Sequence, residues 1–304
     1  VTSKGTDPRS RRLIVKLNGL IPLLGADITD LPRVVAEVES WGADGVVIGQ
    51  HLFYDSNVDH PGSVKLDPSR ISLDPMLLLA GIATATSSVA LMTGALIAPL
   101  HNPIGLAKAS ATLDQLSAGR FELGLVAGWQ RSEFDAVGIP FEDRFAQLEE
   151  WVAYCRIHWG ASPFSFHGRW INVEQVWSRP GPFGGASLPV YIGGRPTGIT
   201  ARRVVRIGDG WIASEGAGID TVEQGVQALV RACAEAGRDI GDYRIRATAH
   251  PDRGAPDIAA ELRTRVAALA EAGATDITVA LGELARDRAE AQDLLRGTAE
   301  GFPR

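Results

Sequence analysis

Gly193 and Gly194, followed by Arg195, Thr197 and a helix-forming run, make the stretch of this chain best suited to hold an anion. Glycines without Cβ atoms let backbone N–H groups come close to a ligand, and a helix starting just beyond adds the positive end of its dipole. A bare Gly-Gly pair is equally a tight strand-to-helix turn, so residue type alone leaves both readings open. A second stretch, GRFELGLVAGWQRSEFDAVG from Gly119 to Gly138, reads as a strand ending in small residues, a loop, and an acidic helix start. In it Gly128 gives a neighbouring ring room, and Trp129 is either a cap over the core or an aromatic wall beside a ligand. Glu133, one helical turn on, reads as a cap or as a partner of Arg131 or Arg144. His51 lies just past an apolar run and is a side chain able to move a proton near neutral pH, although a lone histidine is as readily packed or solvated. Cys155 and Cys233 stand far apart, in no CxxC pattern and beside no histidine, which points to buried thiols and to neither a metal site nor a disulfide.

These residues need elements to hold them, and the hydrophobic pattern supplies them. Apolar runs of strand length alternate with longer helical patterns, the signature of βα units around a parallel sheet. The strands fall at Leu13 to Leu17, Gly45 to Ile48, Ala90 to Ile97, Phe121 to Val126, Val190 to Ile192, Gly210 to Ala213, Arg244 to Ala249 and Asp276 to Ala280. Helices are predicted around Leu31 to Trp41, Pro75 to Thr86, Ile104 to Leu116, Phe141 to Trp159, Gly198 to Ile207, Thr221 to Ala236, Pro256 to Glu271 and Leu284 to Thr298. Strict alternation of strands and helices favours an α/β fold of the closed (β/α)8 TIM-barrel kind over an open doubly wound sheet, and places a site in the loops after the strands. Two insertions interrupt the repeat. His51 to Ser72 is a long polar loop, of the kind that serves as a lid or substrate wall, carrying Phe53, Tyr54 and His60. Pro163 to Gly185 reads as a small hairpin and a connector that ends near Arg179.

Length and charge narrow the function. The 304 residues, 45% hydrophobic and 22% charged, suit one barrel domain spanning the chain after a polar, flexible stretch at residues 1–12. A net charge of −6 provides no basic field for nucleic acid or anionic membrane, so neither is expected as a partner. The opening VTSKGTDPRSRR has no secretory apolar run and no stretch reaches the ~20 apolar residues of a membrane span, which leads to the expectation of a cytoplasmic protein.

The segments GRFELGLVAGW with Glu133, Gly138 to Glu150 (GIPFEDRFAQLEE), PVYIGG with its helix and GDGW, and GADGVVIGQH together resemble the bacterial-luciferase-like superfamily, above all its deazaflavin-dependent oxidoreductases. The resemblance spans nearly the whole chain. It implies a barrel binding coenzyme F420, or alternatively FMN, with the ring in the mouth and the proximal phosphate at Gly193, Gly194, Arg195 and Thr197. It further implies that the end of the third strand, Gly94, Ala95 and Leu96, lies under the ring. A non-proline cis peptide is expected there, at Ala95-Leu96 first and Gly94-Ala95 second. Gly128 and Trp129 would wall the cofactor, Asn18 would contact it, and Phe53, Tyr54 and Arg179 would meet the substrate. His51 corresponds to a histidine that serves in proton transfer. Gln50 stands where several relatives carry an acid, and Trp129 where some sugar-phosphate dehydrogenases carry a catalytic glutamate. Asp209 and Trp211 are assigned to the fold, as a turn and a core aromatic. The activity implied is hydride transfer between F420 and a small organic substrate, in a homodimer. The alternatives are an FMN-dependent monooxygenase and, less favoured, a non-catalytic flavin-binding barrel.

Overall fold

Strands that are buried on both faces close into a barrel. The computed structural model describes residues 10–17, 28–56, 72–252 and 254–302. In chain order the strands are β1 (Arg12–Lys16), β2 (Gly45–Ile48), β3 (Ala90–Thr93), β4 (Leu96–Ile97), β5 (Phe121–Val126), β6 (Phe164–His167), β7 (Asn172–Val176), β8 (Val190–Gly194), β9 (Gly210–Ala213), β10 (Arg244–Ala249) and β11 (Asp276–Val279). The parallel order β3-β2-β1-β11-β10-β9-β8-β5 is sealed by pairing of β3 with β5, so the sheet has no open edge. Around it lie α1 (Leu31–Ser40), α2 (Pro75–Ala85), α3 (Pro103–Leu116), α4 (Arg131–Val137), α5 (Arg144–His158), α6 (Gly198–Ile207), α7 (Ile219–Ala236), α8 (Ile258–Glu271), α9 (Leu281–Leu284) and α10 (Arg288–Glu300). The outward faces of the strands and the inner faces of these helices form one continuous apolar core.

Two elements depart from the sequence expectation. The third barrel strand is broken: β3 stops at Thr93, and β4 resumes beside β5 with Leu96 opposite Leu125. The peptide between the halves, Gly94-Ala95, is cis, one bond earlier than the Ala95-Leu96 bond favoured from the sequence. The stretch before α5 is also richer than expected, because α4 forms first and ends at Gly138, whose φ of 71° is a left-handed C-cap. The hairpin β6-β7 is antiparallel and lies against α5. Its turn is tied there by the Glu150 carboxylate, which accepts from the backbone N–H groups of Arg169, Trp170 and Ile171 at 2.8, 2.8 and 3.0 Å.

Inside the barrel the side chains lie in layers, because alternate residues of each strand point inward. Ile14, Val47, Ala90 and Met92 form a separate apolar cluster. Toward the N-terminal ends of the strands lies a charged layer that the sequence reading did not anticipate. Arg12 donates to both oxygens of Glu122, at 2.5 and 2.9 Å, and to both oxygens of Asp276, at 3.0 and 2.8 Å. Arg244 donates to Asp276 at 2.9 and 2.5 Å, and Arg246 to Glu122 at 3.2 Å. Burial pushes the Asp276 carboxyl up, but Arg12, then Arg244 and Arg246, outweigh it and hold it well below the usual carboxylate range. Burial likewise pulls the Arg12 guanidinium down, and Glu122 and Asp276 more than restore it. Cys155 and Cys233 are buried free thiols, and burial pushes Cys155 up to about 12. Among the described residues no helix is long and apolar enough to cross a membrane.

Candidate active site

At the C-terminal ends of the strands the packed interior gives way to a cup. Lys16, Gly94, Ala95, Val126, Gly193, Ile212 and Thr248 are all only partly buried, whereas the residues below them on the same strands are buried. Most are small or apolar, and their partial exposure opens this layer of the barrel to solvent. The glycines are also needed by packing within the protein. A Cβ on Gly193 would stand 2.5 Å from Val126 Cγ1, and one on Gly94 would stand 2.2 Å from Val47 Cγ2. The cup's floor is the broken strand. Gly124 lies so close to it that a Cβ there would meet the Thr93 carbonyl oxygen at 2.1 Å, and the Thr93 hydroxyl bridges Gly124, accepting from its N–H at 2.8 Å and donating to its carbonyl at 3.0 Å.

One side of the mouth is built around His51. Its Nδ1 lies 3.1 Å from Oε2 of Glu133, whose other oxygen accepts from Leu52 N at 2.7 Å. Glu133 is fully buried and His51 partly so. An ionised carboxylate only accepts, which places the histidine proton on Nδ1 and leaves Nε2 as the ring's acceptor. Glu133 therefore pairs neither with Arg131 nor with Arg144: Arg131 reaches Glu142 at 2.7 Å, and Arg144 lies over the Phe141 ring, 3.7 Å from its centroid. Two aromatics flank the imidazole, Tyr54 at 4.7 Å and Trp129 edge-on at 5.6 Å between ring centroids. Gln130, fully buried, clamps the loop by donating to Phe53 O at 2.9 Å and accepting from Asp55 N at 3.1 Å. Gln50 is used elsewhere: its oxygen accepts from Ile97 N at 3.1 Å and from His101 Nε2 at 2.9 Å, holding the far side of the floor. Burial pushes the His101 imidazole down, toward its neutral form. Across the mouth, Lys16 at the end of β1 pairs with Glu215 beyond β9.

Gly193 and Gly194 end β8 beside the cup, and Arg195 is exposed just beyond them. Thr197 is the N-cap of α6, accepting from Thr200 N at 3.1 Å, so its hydroxyl serves the helix while the first amides of α6 remain available to a ligand. Gly128, at φ 89°, turns the chain out of β5, where a Cβ would crowd Ile97 and Phe134. Leu96 is completely buried in the outer core and does not face the cup. Phe53 is exposed at the rim, and Tyr54 partly so. Arg179 is not brought to the mouth. It lies in the helix-to-strand connection before β8, where its carbonyl accepts from Lys108 of α3 at 2.5 Å, because such connections run outside and below the barrel. Asn18 and His60 lie outside the described residues. Trp211 is buried with its indole N–H donating to Gly194 O at 3.0 Å, and Asp209 accepts from Val190 N at 2.8 Å, so both belong to the frame of β8. The sequence reading missed Glu133 as the partner of His51 and Gln130 as the clamp. No sequence spacing marks a contact between residues 82 apart.

The barrel thus carries a histidine-carboxylate pair beside small residues at its C-terminal mouth. The family model for luciferase-like monooxygenases matches residues 13–300, and the chain belongs to that family. It is 32% identical over 219 residues to the F420-dependent glucose-6-phosphate dehydrogenase of Kineococcus radiotolerans, covering 69% of this chain and 60% of that protein. The fold is similar to that of an F420-dependent secondary alcohol dehydrogenase solved with an F420-acetone adduct (TM-score 0.76, 16% identity, 97% of this chain and 98% of that one). It is also similar to the oxygenating constituent of 3,6-diketocamphane monooxygenase from Pseudomonas putida, solved with FMN (TM-score 0.72, 17% identity, 96% and 98%).

Proposed function

We propose that this protein is an F420-dependent oxidoreductase acting on a small organic substrate at the C-terminal mouth of the barrel. The observation that carries the reading is the His51-Glu133 pair at the edge of the cup, which equips the site for a proton transfer coupled to a redox step. Bound F420 supplies the hydride chemistry. The residues present fit the group: Gly94 and Ala95 would lie under a flat ring, Gly128 and Trp129 would wall it, and the partly buried Val126, Gly193 and Ile212 would line it. The amides opening α6, with Arg195, hold the anionic tail. Glu133 fixes the His51 tautomer, so Nε2 gives or takes the proton at the substrate. Phe53 and Tyr54 cover the substrate from the rim. The relative from Kineococcus radiotolerans, whose name includes F420, supports this reading.

Equilibrium titration of the purified protein with F420 and, separately, with FMN, followed by fluorescence, tests the choice. F420 is expected to bind at least ~10-fold more tightly than FMN. Tight binding of FMN with no binding of F420 would assign the protein to the flavin-dependent, monooxygenase side of the family.

A further inference from the structure

Resting on the reading that a reducible ring sits on Gly94-Ala95, we propose that Arg246 is an electrostatic positioning residue that biases the bound cofactor toward its reduced form. Arg246 lies inside the barrel and is 2% exposed. It is the member of the charged layer that reaches up to the floor of the cup: its Nη1 approaches the Thr93 carbonyl at 3.5 Å, and a Cβ on Gly94 would lie 3.9 Å from the same nitrogen. Its guanidinium also stands over the Tyr191 ring, 4.8 Å from the centroid.

The charge on Arg246 is the least compensated of the three guanidiniums in this layer. The short contacts of Glu122 and Asp276 go to Arg12 and Arg244, at 2.5 to 3.0 Å. Arg246 is left with the long ones, 3.2 Å to Glu122 and 3.6 Å to Asp276. Its Nε is buried and has no hydrogen-bond partner. A buried guanidinium with an unpaired N–H is costly to keep, and an apolar residue would fill the same space more cheaply. Its place under the ring seat gives it a use. Adding two electrons and one proton to the oxidised ring of either F420 or FMN leaves it one unit more negative. A cation fixed below in a water-poor interior then favours that state.

The test is anaerobic titration of wild type, Arg246→Gln and Arg246→Lys with oxidised and with reduced F420, each also with FMN, to give the ratio of the two dissociation constants. Arg246→Gln is expected to weaken binding of the reduced form relative to the oxidised by roughly tenfold, ~1.4 kcal/mol, whereas Arg246→Lys keeps the ratio within about threefold. Glu122→Gln, which removes a countercharge, is expected to move the ratio the other way, and it decides the matter if Arg246→Gln does not fold. An unchanged ratio in Arg246→Gln, or in Glu122→Gln when only that variant folds, overturns the proposal while leaving cofactor binding intact. Failure of the wild type to bind either cofactor in either state would instead bring down the functional reading on which it rests.

Discussion

His51 reaches the mouth as a prepared group. The buried Glu133 carboxylate takes Nδ1, the Leu52 amide takes the other carboxylate oxygen, and Tyr54 and Trp129 limit how the ring can tilt. Replacing Glu133 with Gln offers an amide that can present either end to the imidazole, so the hold on the tautomer is lost. In 15N NMR of the histidine rings, the wild type is expected to carry its neutral-form proton on Nδ1 of His51 and Glu133→Gln to show a mixture with Nε2–H. An unchanged tautomer in the variant would separate Glu133 from the proton step. His51 and Trp129 were legible in the sequence as site candidates because their types and their places just beyond strands are local facts. Glu133 was not, because the contact that defines it joins loops after two different strands, and a helix start rich in acids looks the same whether or not one of them turns inward.

At the scale of elements, the cup exists because the third strand breaks and its neighbour allows the break to press inward. Gly124 of β5 takes the Thr93 carbonyl so closely that a methyl group has nowhere to go: the obstacle at 2.1 Å is backbone, and Ile212 Cδ1 stands at 2.8 Å on another side. Gly124→Ala is therefore expected to cost about 2–4 kcal/mol, from forced movement of the floor, read as a fall in unfolding free energy by urea titration. A loss below about 0.5 kcal/mol would mean that the floor yields easily and is not a fixed seat. The eight barrel staves were legible, most within a residue of their observed ends, because both-face burial writes continuous apolar runs between turn residues. The break was not legible in the apolar pattern, since ALMTGALI reads as one run; the resemblance put a cis peptide there to within one bond, and the contacts of Gly124 and Gln50 show how the chain leaves the ladder.

For the whole molecule, closure of the sheet sorts its contents by height: ion pairs at the base, an apolar middle, and small residues at the mouth. The alternation of strands and helices made the barrel legible from the chain, but not the charged base. Arg12, Glu122, Arg244, Arg246 and Asp276 each look like an ordinary strand-end charge until closure brings them together in the interior. The same closure brings the His51-Glu133 and Lys16-Glu215 pairs to opposite sides of one opening, with the start of α6 at its edge. A crystal structure of the protein with F420 tests most directly whether a flat redox ring lies in that opening. The prediction is electron density for the ring over Gly94-Ala95, between Trp129 and the Lys16-Glu215 pair, with the phosphate at the first amides of α6 beside Gly194. Density for F420 anywhere outside the cup, or a phosphate bound away from those amides, would contradict it.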